Sequence, residues 1–161
     1  MFNRKIRSGV RSPLLAILLI AAFAGTAIAT SASGFIATPL SRGTLGDPVQ
    51  YNLGAIKFQT KAAVDVATAT VTIAPLGSSG WHSHPGIVFV TVKQGTVTFY
   101  DQACEASDHG AGSAFIEATG DGPGLARNES SSVTAIVYVT YVVPTGVALR
   151  INEANPGCPQ N

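Results

Sequence analysis

Three long runs of β-branched residues constrain this chain more than any other feature. Residues 64–75 read VDVATATVTIAP, 86–101 read GIVFVTVKQGTVTFYD, and 133–144 read VTAIVYVTYVVP. Val, Ile and Thr sit easily on a pleated strand and crowd the preceding turn of a helix. Glycine and proline bound each run, and Ser113–Ala118 and Leu149–Ile151 read as shorter strands. Lys93-Gln94-Gly95, inside the second run, predicts a hairpin. No segment after residue 30 combines helical periodicity with caps. An all-β sandwich or barrel is expected.

At 161 residues the chain has room for one domain. Its first part does not belong to that domain. Arg4, Lys5, Arg7 and Arg11 precede the apolar run Leu14–Ala29, which ends in Ala27-Ile28-Ala29. A basic start, an apolar middle and a small-x-small ending make a secretory signal over residues 1–29. Cleavage there predicts an exported protein, whether secreted, periplasmic or at the cell surface. Left uncleaved, the segment is a membrane anchor, and nothing later in the chain could contact a bilayer in that way. Residues 30–47, rich in Ser, Thr, Gly and Ala, read as a linker. Residues 48–153 form the domain, and 154–161 a C-terminal tail.

Four of the ten Lys and Arg leave with the signal, so the mature chain is mildly acidic. It has no basic patch and no cations interleaved with aromatics, which excludes nucleic acid as the expected partner. Cys104 and Cys158 lack the spacing of a zinc site. In an exported chain with two cysteines they are expected to form one disulfide that ties down the tail.

The chemistry concentrates in Gly80-Trp81-His82-Ser83-His84-Pro85-Gly86. Residues i and i+2 of a strand share a face, so His82 and His84 converge, and Val88 joins them if the strand direction persists. Trp81 then points away, into packing. The order His82, His84, Val88, Gly95 resembles the first motif of the cupin superfamily. Gly112 to Gly120, followed by Gly124-Leu-Ala-Arg-Asn128, resembles its second motif. The likeness spans about residues 60–145 and is closest to small single-domain bacterial cupins. It implies a jelly-roll, double-stranded β-helix barrel, and a homodimer as a common assembly.

The resemblance also implies a ligand set, and here the chain departs from it. Metal-binding cupins use both histidines and the glutamate of the first motif, with the histidine of the second. This sequence has Val88 at the glutamate position and Gly124 at the second-motif histidine. Two neutral imidazoles leave a divalent cation uncompensated in an apolar barrel. The expectation is therefore a degenerate metal centre at His82 and His84, without a firm cofactor and at most weak for divalent metal. Glu117, His109 or a bound molecule are the candidates to complete it. Asn128 matches the second-motif asparagine, whose role is structural in the family.

Two functions compete on this reading. One is a non-catalytic barrel, binding an unidentified small molecule or serving as a scaffold or sensor in a pocket near Val88, Glu117, Gly124 and Asn128. The other is a metal-dependent oxygenase or isomerase with non-standard ligands. A metal-free isomerase would need a histidine with a carboxylate partner and a Tyr or Lys in reach, and the sequence displays no such set. Missing ligands favour the non-catalytic barrel.

Overall fold

Strand β4 (Val64–Ser78) organises the molecule. Its residues alternate strictly, with Ala67, Ala69, Val71 and Ile73 buried and their neighbours partly exposed, the period-two pattern of a sheet with one face on a core. The chain is described by a computed structural model covering residues 28–117 and 122–160. The signal segment lies outside those residues except for its last two positions, and part of the second motif lies outside them too. No described helix is long and apolar enough to cross a membrane.

Numbered along the chain, the strands are β1 (Ser33–Leu45), β2 (Gln50–Leu53), β3 (Ile56–Gln59), β4, β5 (His82–Ser83), β6 (Ile87–Gln94), β7 (Thr96–Tyr100), β8 (Ala106–Gly110), β9 (Ala114–Glu117), β10 (Leu125–Arg127), β11 (Ala135–Pro144) and β12 (Ile151–Asn152). Every pairing is antiparallel, and the main sheet runs β8-β7-β10-β4-β11-β6-β9, with β1 also on β4. The all-β expectation holds. β4 links the two ends of this order: residues 64–73 pair with β11, and Ser78 pairs with Arg127 of β10. Between those pairings Leu76 takes φ 58°, letting the strand turn from one layer into the other. Inward residues of β4, β6, β7, β10 and β11 meet in one core of Val71, Ile73, Val88, Val90, Val97, Ala126, Val137 and Val139.

The structure corrects two sequence expectations. Residues 33–45, placed in a linker, form β1 and pair with β4 from Ser33↔Ser78 to Leu45↔Val64. Its Phe35, Ile36, Leu40 and Leu45 fall without period-two alternation among Ser, Thr, Gly and Pro, which hid the strand, and the ladder and polar ties hold it. Arg42 Nε and Nη2 donate to Asp65 Oδ2 at 2.9 and 2.6 Å, and Thr44 Oγ1 donates to Asp65 Oδ1 at 2.7 Å. The second correction concerns Lys93-Gln94-Gly95. β6 pairs with β11 and β9, whereas β7 pairs with β10 and β8, so no hairpin joins them. Gly95, at φ 73°, instead turns the corner between layers. A β-carbon there would come within 2.9 Å of the Ala135 backbone, so the corner needs glycine.

A second, smaller core of Trp81, Leu125 and Cys158, flanked by Tyr100 and Cys104, lies under the C-terminal segment. Cys104 and Cys158 are bonded. Trp81 Nε1 donates to Gln160 O at 3.2 Å, and Glu153 N donates to Trp81 O at 2.9 Å. The tail is thereby wrapped across the strand that carries the histidines.

Candidate metal centre

β5 carries His82 beyond the turn at Ser79-Gly80, His84 follows directly after its end, and β12 pairs with it through Asn152↔His82 and Ile151↔Ser83. Both imidazoles are buried, with ring centroids 4.8 Å apart. His82 Nδ1 lies 2.9 Å from Gly80 O, and His84 Nδ1 lies 2.6 Å from Leu149 O. A carbonyl oxygen only accepts, so each Nδ1 carries the proton and donates it. Nε2 is then the atom left to face the site, as a lone pair when the ring is neutral and as a second donor when it is protonated. These backbone contacts fix both tautomers, as the outer partners of metal-binding histidines do.

The side chain facing those nitrogens is Glu117. Its Oε2 lies 2.9 Å from His84 Nε2 and 3.5 Å from His82 Nε2. Glu117 is supplied by β9, where it is the direct cross-strand partner of Val88. Opposed residues of an antiparallel pair share a face, so the neighbouring strand delivers a carboxylate to the region where Val88 offers none. This corrects the expectation of two imidazoles without charge compensation. Burial alone would raise the Glu117 pKa, but with Nε2 of His82 and His84 protonated their hydrogen bonds and charge outweigh it and bring the carboxyl down to about 2. The group is an anion at neutral pH.

His82, His84 and Glu117 offer three ligand atoms within 4.8 Å of one another. Bonds of about 2.1 Å to a common cation allow ligand atoms up to about 4 Å apart, so small side-chain rotations suffice to close on one. The donor set fits a divalent ion. Two bare imidazole nitrogens and a carboxylate are all acceptors, and only a cation, either a metal or an added proton, reconciles them at this distance.

The remaining sequence candidates fall elsewhere. Gly124 exchanges backbone hydrogen bonds with His82, N to O at 2.9 Å and 2.8 Å, so it stands beside the pair as the second-motif position should. A β-carbon on it would collide with the Phe99 ring, which fills the space of the missing ligand. Asn128 is fully buried and structural, its Nδ2 donating to the carbonyls of Ile73 at 3.0 Å and Val133 at 2.8 Å. His109 is on β8 rather than a loop. It stacks on Phe115 with centroids 3.9 Å apart and takes no part in the triad. Val88 is a core residue.

Sequence reasoning missed Tyr141 and Arg150. Both line a cavity of about 530 Å³ that opens beside the triad and is walled mainly by Ala, Val, Ile and Phe. The Tyr141 ring lies 5.6 Å from that of His84. Burial, reinforced by the Glu117 charge, pushes its hydroxyl up to about 12, so it remains protonated. The only signal in the sequence was position: Tyr141 lies on the inner side of a long β-branched run, and Arg150 is one residue from β12.

No family model matches the sequence, and no curated protein is significantly similar to it. Solved structures give likenesses of fold. A cupin-like protein from Thermotoga maritima is 13% identical with a TM-score of 0.49, over 56% of this chain, which spans 65% of the length of that protein. The polyketide cyclase RemF from Streptomyces resistomycificus is 13% identical with a TM-score of 0.48, over 92% of this chain and 88% of its own. A conserved protein with a double-stranded β-helix domain from Klebsiella pneumoniae is 18% identical with a TM-score of 0.47, over 68% and 86%. At these identities no activity carries over. The strand order makes the described chain an all-β antiparallel barrel, and the solved structures that resemble it include cupin-like proteins.

Proposed function

We propose that the barrel holds one divalent first-row metal through His82 Nε2, His84 Nε2 and Glu117, and presents it to a small organic molecule in the adjoining cavity. One observation carries this reading. Both Nδ1 protons are committed to backbone carbonyls, which leaves two lone pairs and a carboxylate aimed at one point. Two histidines with one carboxylate leave open positions for a ligand, a set that suits iron, manganese, nickel or zinc better than a closed structural site. A metal held this way supplies Lewis-acid polarisation or, if redox-active, electron transfer. The chain contributes a dry apolar wall, fixed ligand orientation and the protonated Tyr141 hydroxyl as a donor. This makes a metal-dependent enzyme the favoured reading over a scaffold.

Metal analysis of protein purified without chelator or added metal is the test. About one equivalent is expected, lost in His84→Ala and in Glu117→Gln. Native protein that emerges metal-free and takes up none on dialysis against manganese, iron, nickel or zinc would overturn the reading. The 2.9 Å contact between His84 and Glu117 would then serve acid–base chemistry as an ion pair beside Tyr141.

We also infer that the protein works outside a reducing compartment. The Cys104–Cys158 bond supports this, as does the basic-then-apolar start of the sequence. Thr30 is already fastened, donating its N–H to Glu153 O at 3.0 Å and accepting from Trp81 N at 2.6 Å, so cleavage after Ala29 would leave an anchored start. Peptide mapping of exported protein should find an N-terminus near Thr30 and the two cysteines linked. An intact Met1 end, or two alkylatable thiols, would contradict it.

A further inference from the structure

Two guanidinium groups line the cavity, and they are not in the same state. Arg42 is neutralised by Asp65. Arg150 has no carboxylate within ion-pair distance among the described residues, although it is partly buried against an apolar wall. It is held firmly all the same. Nη2 donates to Ser79 O at 2.5 Å, Nε donates to Asn152 Oδ1 at 2.9 Å, and the guanidinium lies over the Phe35 ring, 5.9 Å from its centroid. Those bonds leave the Nη1 edge without a protein partner among the described residues. β12, which follows Arg150 directly, pairs with the strand carrying His82, so the cation is registered to the triad.

A half-buried cation with an open edge favours an anion that fills it, because its contacts to Ser79 O, Asn152 and Phe35 are all to uncharged groups and Glu117 acts on it only from beyond ion-pair distance. The planar fork of arginine matches a carboxylate in particular. Tyr141 lines the same cavity, which puts a second donor on its wall. Nothing else on the wall is cationic and unpaired. Away from the triad, Arg42, Ser41 and Thr68, the cavity offers Val71, Val90, Val137, Val139 and Phe115, a stretch of wall that suits an apolar body. Because the guanidinium is already immobilised, little ordering cost remains when a ligand arrives.

We infer that the cavity selects an organic monocarboxylate with an apolar body, its carboxylate held by Arg150 with Tyr141 as a supporting donor, and its apolar end among the core valines. This deepens the proposed function and rests on the reading of the cavity as the ligand site. It does not depend on the identity of the metal.

Calorimetry on chelator-stripped protein with octanoate, and with octanamide as its neutral counterpart, tests the inference. Working without metal keeps the probe carboxylate from binding a metal instead of Arg150. Octanoate is expected to bind on the order of tenfold tighter than octanamide, the scale of a hydrogen bond to a charged group. Arg150→Gln should abolish that preference while changing octanamide affinity less than about threefold, which also reports that the cavity is still folded. Arg150→Lys should restore part of the preference, and Tyr141→Phe should reduce it without touching octanamide. Equal binding of the two probes, no binding of octanoate, or a preference that survives Arg150→Gln would each overturn the inference. Metal content measured on the same variants separates the two readings. Equal binding of the two probes by native protein that takes up metal normally removes this proposal alone, and a preference shown by native protein that binds no metal removes only the metal.

Discussion

Gly124 and Phe99 show how a single residue sets the composition of the site. Gly124 is locked by two backbone bonds to His82, and the Phe99 ring, tilted against Phe115 with centroids 5.9 Å apart, occupies its side-chain space. Gly124→Ala should therefore destabilise the fold by about 1–3 kcal/mol through overpacking. In a Phe99→Leu background most of that cost should disappear, and urea denaturation of the four proteins measures it. An equal cost in both backgrounds would mean the ring is not the obstacle. At this scale the histidine pair was legible in the sequence because its spacing alone puts both rings on one face. Glu117 was only half legible. Its alternation with Phe115 marks it as inward, but its meeting with the histidines depends on the Val88↔Glu117 register, and no local pattern encodes which residues of two separate strands will pair.

At the scale of elements, β1 depends on one buried carboxylate. Asp65 accepts from Thr44, from Gly146 N at 3.0 Å and from Arg42, and these bonds hold its pKa near 2, below its ordinary value of 3.8. A carboxyl depressed on folding contributes stability that is present above the ordinary value and lost as pH falls through the folded one. Asp65→Asn should lower stability at neutral pH, and the gap between native and variant should close between about pH 4 and pH 2. Urea midpoints across that range check it, and a gap that stays constant would show that the ionised form is not what matters. The same polar ties explain why β1 read as a linker: its Phe35, Ile36, Leu40 and Leu45 lack the alternation that marks a strand, so the strand exists through its partner. The long runs were legible as strands because β-branched alternation is local. The Gly95 corner was not, since a glycine in that context serves a hairpin or a change of layer equally well.

For the whole molecule, the tail is a structural member rather than an appendage. The Cys104–Cys158 bond closes a separation of 54 residues, and chain-entropy arithmetic places its contribution at about 4 kcal/mol. A Cys104→Ser/Cys158→Ser double variant should lose stability of that order in chemical denaturation, and an unchanged midpoint would mean the core needs no bolt. The tail also does something no strand of the barrel does. The segment it secures contains Leu149, whose carbonyl takes the proton of His84 Nδ1, and Arg150, which faces the cavity. Freeing that segment would let His84 swing to its other tautomer and turn an N–H, not a lone pair, toward Glu117. A chain whose Cys104–Cys158 bond is open thus carries every member of the triad without the contact that orients His84.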